Sequence, residues 1–86
     1  MRLRIYSKPD CHLCEEAKSV LDKVAAEFHI TVEVIHIEKD PETFEKYRYE
    51  IPVIFLDDVK LFKHRVDEEK LRKVLNKVAR VSRPRS

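Results

Sequence analysis

The chain has 86 residues, of which 43% are hydrophobic and 40% are charged, and its net charge is +2. That length allows one small domain with a modest core, and so many charged residues indicate a strongly solvated surface. Three positive charges lie in the carboxyl-terminal segment VARVSRPRS, at Arg80, Arg83 and Arg85, and removing them from +2 leaves −1. The rest of the chain therefore lacks the basic surface of a nucleic-acid-binding protein, and we predict no nucleic-acid partner.

The sequence shows no signal for a membrane. No apolar segment reaches the ~18 residues of a membrane span, and the first ten residues, MRLRIYSKPD, lack the apolar centre of a signal peptide. We therefore expect no membrane partner and a cytoplasmic location. We also expect a monomer. In the cytoplasm thiols stay reduced, so a purely structural disulfide is not expected there. We predict a folded domain over residues 1–79 and a basic polar tail over residues 80–86.

The first half of the chain predicts a strand, a helix and a second strand. Leu3 and Ile5 alternate with polar residues, which is typical of a short strand. Apolar residues then recur at intervals of three and four between residues 17 and 28, which predicts an amphipathic helix ending near His29. The segment ITVEVIHIE is rich in β-branched residues and predicts a strand from Ile30 to about Ile37.

The second half predicts a helix, two strands and a last helix. Asp40-Pro41-Glu42 has the acidic N-cap and the early proline of a helix start. The apolar run Ile51–Leu56 predicts a central strand that is covered on both faces. Asp57-Asp58 predicts a tight turn into the partner strand VKLFKH. Asp67, followed by two glutamates, predicts the start of the last helix.

These elements follow one another in the order β-α-β-α-β-β-α, which predicts an α/β fold. The first strand-helix-strand unit should be right-handed with parallel strands, and the last two strands should form an antiparallel hairpin. The expected architecture is therefore a mixed four-stranded sheet with helices packed on it.

Glycine is absent from the chain. Turns that require a positive φ angle must therefore use aspartate, asparagine or another tolerant residue. A site that needs bare backbone against a ligand also lacks its usual residue.

Cys11 and Cys14 are the only cysteines, and they lie three residues apart at the start of the first predicted helix. This spacing places both sulfur atoms on one face of the helix, where they can close a disulfide. At the helix start, free backbone N–H groups and the helix dipole favour a thiolate. We therefore predict that Cys11 is a redox nucleophile and that Cys14, one turn further in, is the resolving thiol.

A metal site and a purely structural pair are the alternatives for the two cysteines. A closed zinc site needs four ligands, usually as two close pairs, but His29, His36 and His64 are scattered singly. A disulfide across so short a loop would also constrain the unfolded chain very little. We predict thiol–disulfide exchange, with no metal ligands and no tightly bound cofactor.

The segment IYSKPDCHLCEEAK resembles the active-site segment of glutaredoxins, in which a strand leads through Tyr-Ser-Lys-Pro-x-Cys-x-x-Cys into a helix. Ile51-Pro52 resembles the second hallmark of the thioredoxin superfamily, a cis-proline that faces the cysteines. With the stretch Tyr47-Arg-Tyr-Glu-Ile-Pro-Val, the chain is most similar to the small glutaredoxin-like group, up to about Ala79. The resemblance implies a thioredoxin/glutaredoxin fold and an enzyme, a small thiol–disulfide oxidoreductase that reduces protein or low-molecular-weight mixed disulfides.

The same resemblance implies where a substrate would bind. Lys8 matches the lysine that meets the glutathione carboxylate, and Asp67 matches the acidic residue that holds its amino group. The backbone at Ile51-Pro52 would pair with an extended substrate. Glutaredoxins usually have Gly-Gly where this chain has His64-Arg65, so Arg65 either offers a partner to a carboxylate or helps to block the groove. Disulfide-containing proteins or glutathione are the expected partners, with glutathione a candidate reductant.

Two other functions are compatible with these residues. Some glutaredoxins bridge an iron–sulfur cluster between two protomers, and a residue other than proline after the first cysteine, here His12, is compatible with such a cluster or metal carrier. A non-catalytic binding module would instead use the surface of the thioredoxin fold to hold a partner. In that case Cys11 would react no faster than an ordinary exposed thiol.

Overall fold

A computed structural model of the protein describes residues 2–82. Within this range the strands are β1 (Arg2–Ser7), β2 (Thr31–His36), β3 (Val53–Leu56) and β4 (Val59–Lys63), and the helices are α1 (His12–Phe28), α2 (Pro41–Tyr47) and α3 (Glu68–Ser82). A 3₁₀ turn, Ile37–Lys39, precedes α2. The predicted order of elements is confirmed. Helix α3 continues three residues into the segment predicted as a tail, and residues 83–86 of that segment lie outside the described residues.

The strands form one mixed sheet in the order β2-β1-β3-β4. Strands β1 and β2 are parallel because α1 carries the chain back along the sheet, whereas β3 is antiparallel to both β1 and β4. The run predicted as a central strand is indeed internal. Its ladder begins at Val53 and not at Ile51, since Pro52 has no backbone N–H to donate.

Helices α1 and α3 cover one face of the sheet with the apolar stripes predicted from sequence. The buried residues of this larger core are Leu3, Ile5, Ala17, Leu21, Val24, Ala25, Ile54, Leu56, Leu71 and Leu75. At the surface, Arg72 of α3 donates two hydrogen bonds to Glu27 of α1, at 2.9 and 2.6 Å. These bonds lower the pKa of Glu27, so the contact between the two helices remains charged at neutral pH. None of the helices built from residues 2–82 has an apolar stretch of the length that a bilayer crossing requires.

Helix α2 covers the opposite face with a smaller, aromatic core. The rings of Tyr6 and Tyr47 stack with their centroids 4.7 Å apart, and the edge of Phe55 meets both. Ile51 packs against this cluster, and its backbone N–H donates to the Tyr47 carbonyl at 3.2 Å. The smaller core therefore positions the loop that leads into Pro52.

Four residues in the described range have a positive φ angle: Asp10, His29, Asp57 and His64. A left-handed conformation costs a residue with a Cβ atom roughly 1–2 kcal/mol. Aspartate and histidine are among the side chains that tolerate it best. The prediction that tolerant residues replace glycine in the turns of this chain is confirmed.

The residue that ends α1 allows a direct test of the cost of a non-glycine residue at a positive φ angle. His29 has φ 56° and ψ 43°, the conformation for which glycine is preferred after a helix. We expect His29→Gly to raise the free energy of unfolding by about 0.5–1 kcal/mol, because the relieved cost exceeds the extra entropy of unfolded glycine. Urea unfolding measures the change. Ala26→Gly, inside the same helix and exposed, is the matched control and should lower stability by about 1 kcal/mol. An unchanged or lower stability of His29→Gly would contradict the prediction.

Candidate active site

Cys11 and Cys14 form a disulfide at the amino-terminal end of α1. Their Cα atoms lie 5.2 Å apart, within the range that a disulfide spans. Cys11 is the N-cap residue of the helix, and its sulfur accepts the backbone N–H of Cys14 at 3.2 Å. After reduction, the same N–H group and the positive end of the helix dipole would stabilise a thiolate at Cys11.

The two sulfurs differ in burial, as the sequence predicted. Cys14 is only 4% exposed, whereas Cys11 is half-buried at the point where the chain enters the helix. A molecule that approaches from solvent can therefore reach Cys11, whereas Cys14 is enclosed by the protein.

A groove of about 300 Å³ runs along α1 beside the loop between β4 and α3. Its α1 side contains Leu13, 44% exposed, and Glu16. The loop side contains Arg65 and His64, the pair that replaces the usual Gly-Gly, and both are exposed. Arg65 forms no ion pair with any of the described side chains. Its guanidinium is thus available to a negatively charged group that enters the groove.

The loop before β3 is hydrogen-bonded to His64, which lines this groove. The Ile51-Pro52 peptide bond is cis, and the Pro52 carbonyl accepts the backbone N–H of His64 at 2.8 Å. Lys60 donates to the side chain of Glu50 at 2.9 Å, and this hydrogen bond lowers the pKa of that carboxyl. The Glu50 side chain therefore remains charged and holds the loop to β4.

Lys8 and Asp67, which were predicted to bind substrate, lie in different surroundings. The carboxylate of Asp67 accepts the backbone N–H of Lys70 at 3.1 Å, so it caps α3, as predicted, and it remains exposed. Lys8 is exposed and lines a separate crevice next to Cys14, not the groove that contains Arg65. The structure thus places Lys8 and Arg65, the two basic residues that were predicted to bind substrate, in two different depressions.

His36 is a residue whose position sequence reasoning missed. It lies opposite Ser7 where the parallel strands β1 and β2 end, and it lines the same crevice as Cys14. The available signal was the alternation in ITVEVIHIE, because His36 continues the spacing of Val32 and Val34 toward the core face. The sequence argument considered this histidine only as a metal ligand.

Potential metal ligands do not converge in the described part of the chain. No three histidine, cysteine, aspartate or glutamate side chains there are grouped so that they could hold an ion. The two cysteines are joined to each other.

Comparison with known proteins relates this chain to one family. The model of the family described as "Glutaredoxin-like domain (DUF836)" matches residues 2–76. The Glutaredoxin-like protein YDR286C homolog of Dictyostelium discoideum is 35% identical over 77 residues, which span 83% of this chain and 71% of that protein.

Solved structures show the thioredoxin/glutaredoxin fold that the sequence predicts. Protein Ne2328 from Nitrosomonas europaea superposes with a TM-score of 0.73 at 27% identity, over 85% of this chain and 88% of that one. The glutaredoxin-like protein NrdH-redoxin from Escherichia coli superposes with a TM-score of 0.60 at 22% identity, over 100% of both chains.

Proposed function

Because the chain belongs to the glutaredoxin-like family, we propose that it is a thiol–disulfide oxidoreductase whose working dithiol is Cys11 and Cys14. The observation that carries this proposal is the asymmetric disulfide at the start of α1. Cys11 is accessible and lies where the helix favours a thiolate, whereas its partner Cys14 is buried. An accessible nucleophile joined to a protected resolving thiol is the arrangement that disulfide exchange requires.

The reaction proceeds in two exchange steps. The thiolate of Cys11 attacks one sulfur of a substrate disulfide, which forms a mixed disulfide and releases the first substrate thiolate. Cys14 then loses its proton and attacks the Cys11 sulfur, which releases the second substrate thiolate and forms the Cys11–Cys14 disulfide of the structure. Two equivalents of a low-molecular-weight thiol, or one dithiol of a reductase, return the pair to its reduced state.

The surroundings of Cys11 support protein or low-molecular-weight mixed disulfides as the substrates. Leu13, in the turn after Cys11, offers an apolar contact. Arg65 offers a cation to a carboxylate in the groove. Glutathione, which carries carboxylates and a thiol, fits this pair of contacts, and it is the reductant that we propose.

The reactivity of Cys11 distinguishes this enzyme from a binding module with incidental cysteines. In the reduced protein at pH 7, we expect iodoacetamide to modify Cys11 roughly fivefold or more faster than it modifies free cysteine, since the helix start increases the thiolate fraction. Intact mass followed over time measures the rate, and Cys14→Ser assigns it to Cys11. A rate equal to that of free cysteine would contradict the proposed function.

A further inference from the structure

Beside Cys14, and separate from the groove, the structure contains a crevice of about 210 Å³. Its walls are the first turns of α1, the loop before them and the ends of β1 and β2. Ser7, Cys14 and His36 all line it, and Ser7 and Cys14 are themselves buried. The crevice therefore brings two polar side chains of the sheet, Ser7 and His36, to the same depression as the buried thiol.

His36 has a feature that sets it apart within this crevice. Among the side chains that the structure describes, its Nδ1 is the buried polar atom that lacks a hydrogen-bond partner in the protein. A buried nitrogen without a partner costs free energy, so such an atom calls for an explanation. The residue as a whole is half-buried, whereas its Nδ1 is buried.

The second exchange step needs what an imidazole can provide. Only a thiolate attacks a disulfide, and burial among apolar groups disfavours the thiolate form. The proton of Cys14 must therefore move to an acceptor that the buried sulfur can reach. Imidazole is the side chain that most readily exchanges a proton near neutral pH.

We propose that His36 accepts the proton of Cys14 across this crevice when Cys14 resolves the mixed disulfide; this inference rests on the proposed function. The Cys14 thiol gives its proton through a bridging water in the crevice to Nδ1 of His36, and the resulting thiolate attacks the Cys11 sulfur. The bond between Cys11 and the substrate sulfur breaks as the Cys11–Cys14 bond forms. The substrate leaves as a thiolate, which takes up one proton, and His36 returns its proton to solvent.

Four charged residues share the crevice with His36. The loop before α1 contributes Lys8 and Asp10, and α1 contributes Glu15 and Lys18. All four are exposed, and their two positive and two negative charges balance, so water screens them. Among the ionisable side chains that line the crevice, His36 is thus the one that is partly buried.

A two-phase reaction separates the proton transfer from the first attack. The reduced full-length protein is mixed with 5,5′-dithiobis(2-nitrobenzoate), and stopped-flow absorbance records two releases of thionitrobenzoate. Attack by Cys11 gives the first release and attack by Cys14 gives the second. In His36→Asn we expect the second release to slow about tenfold at pH 7, less than the ~10²–10⁴ of a typical general base, because a thiol also loses its proton unaided. The first release should keep its natural rate.

The pH dependence of the second release distinguishes a loss of proton transfer from a structural defect in the variant. As the pH rises and hydroxide removes the proton, the second release of His36→Asn should converge with that of the natural protein. His36→Gln is measured in parallel and should behave in the same way. His29→Asn changes a histidine that does not line the crevice, at a left-handed position that asparagine tolerates, and should leave both releases unchanged.

The possible outcomes separate this inference from the proposed function. A first release no faster than that of free cysteine overturns the function itself. A fast first release with an unchanged second release in His36→Asn overturns only the role of His36. A slow second release that persists at high pH, or that occurs in only one of the two His36 variants, also overturns that role.

Discussion

The Cys11→Ser protein is expected to lose disulfide reductase activity by a factor of about 10³ or more, since a serine hydroxyl is not ionised at neutral pH and cannot displace a thiolate. The reduction of insulin disulfides by dithiothreitol, with and without the protein, measures this loss. The structure gives the reason for so large an effect. Cys14 is 4% exposed and cannot replace Cys11 as the attacking group for an external substrate.

The matched control is Cys14→Ser, which removes the other sulfur of the same disulfide. This variant retains Cys11 at the helix start and should still attack, but it cannot resolve the product by an internal step. Intact mass should therefore show a mixed disulfide that accumulates on Cys11. Full activity of Cys11→Ser, or no adduct on Cys14→Ser, would contradict the claim that Cys11 and Cys14 are the working dithiol.

Replacement of Arg65 by glutamine is expected to raise the KM for glutathione about tenfold. The variant loses one charge-assisted hydrogen bond, which contributes roughly 1.5–3 kcal/mol, and water partly replaces that bond. Arg65 lines the groove along α1 and has no ion pair among the described side chains, so it remains available to a carboxylate of the tripeptide. Steady-state turnover of a small disulfide at varied glutathione concentration measures the change.

Lys63→Gln is the matched control for this prediction. Lys63 is exposed at the end of β4, two residues from Arg65, and does not line the groove. Its loss changes the net charge equally but should leave the KM within about twofold, as expected for a screened surface charge. A lower KM in Arg65→Gln would show that this side chain obstructs the groove, the other role that the sequence allowed.

Local signals in the sequence were sufficient to locate the disulfide pair. The Cys11-x-x-Cys14 spacing, the helix that follows it and the greater burial of the second cysteine all depend on residues within one or two turns. Helix capping and the position of the first free N–H groups are likewise local properties. The sequence could therefore predict that the two cysteines lie within disulfide distance and that Cys14 is the more buried of the two.

The position of His36 beside Cys14 could not be predicted in the same way. It depends on the parallel register that places His36 opposite Ser7, and on the packing of α1 over the ends of β1 and β2. A register shift of one residue would turn His36 to the other face of the sheet. The separation of Lys8 from Arg65 is also a tertiary property. Motif matching along the chain does not reveal that these two side chains line different depressions.

A glutathione redox titration, read by intact mass on the natural protein and on Cys14→Ser, tests the central claim most directly. The account predicts that the natural protein shifts between dithiol and disulfide as the ratio of reduced to oxidised glutathione changes. It also predicts that Cys14→Ser accumulates a glutathione adduct on Cys11. A natural protein that stays in one state at every ratio, together with an unmodified Cys14→Ser, would contradict the claim that Cys11 and Cys14 are a working redox pair.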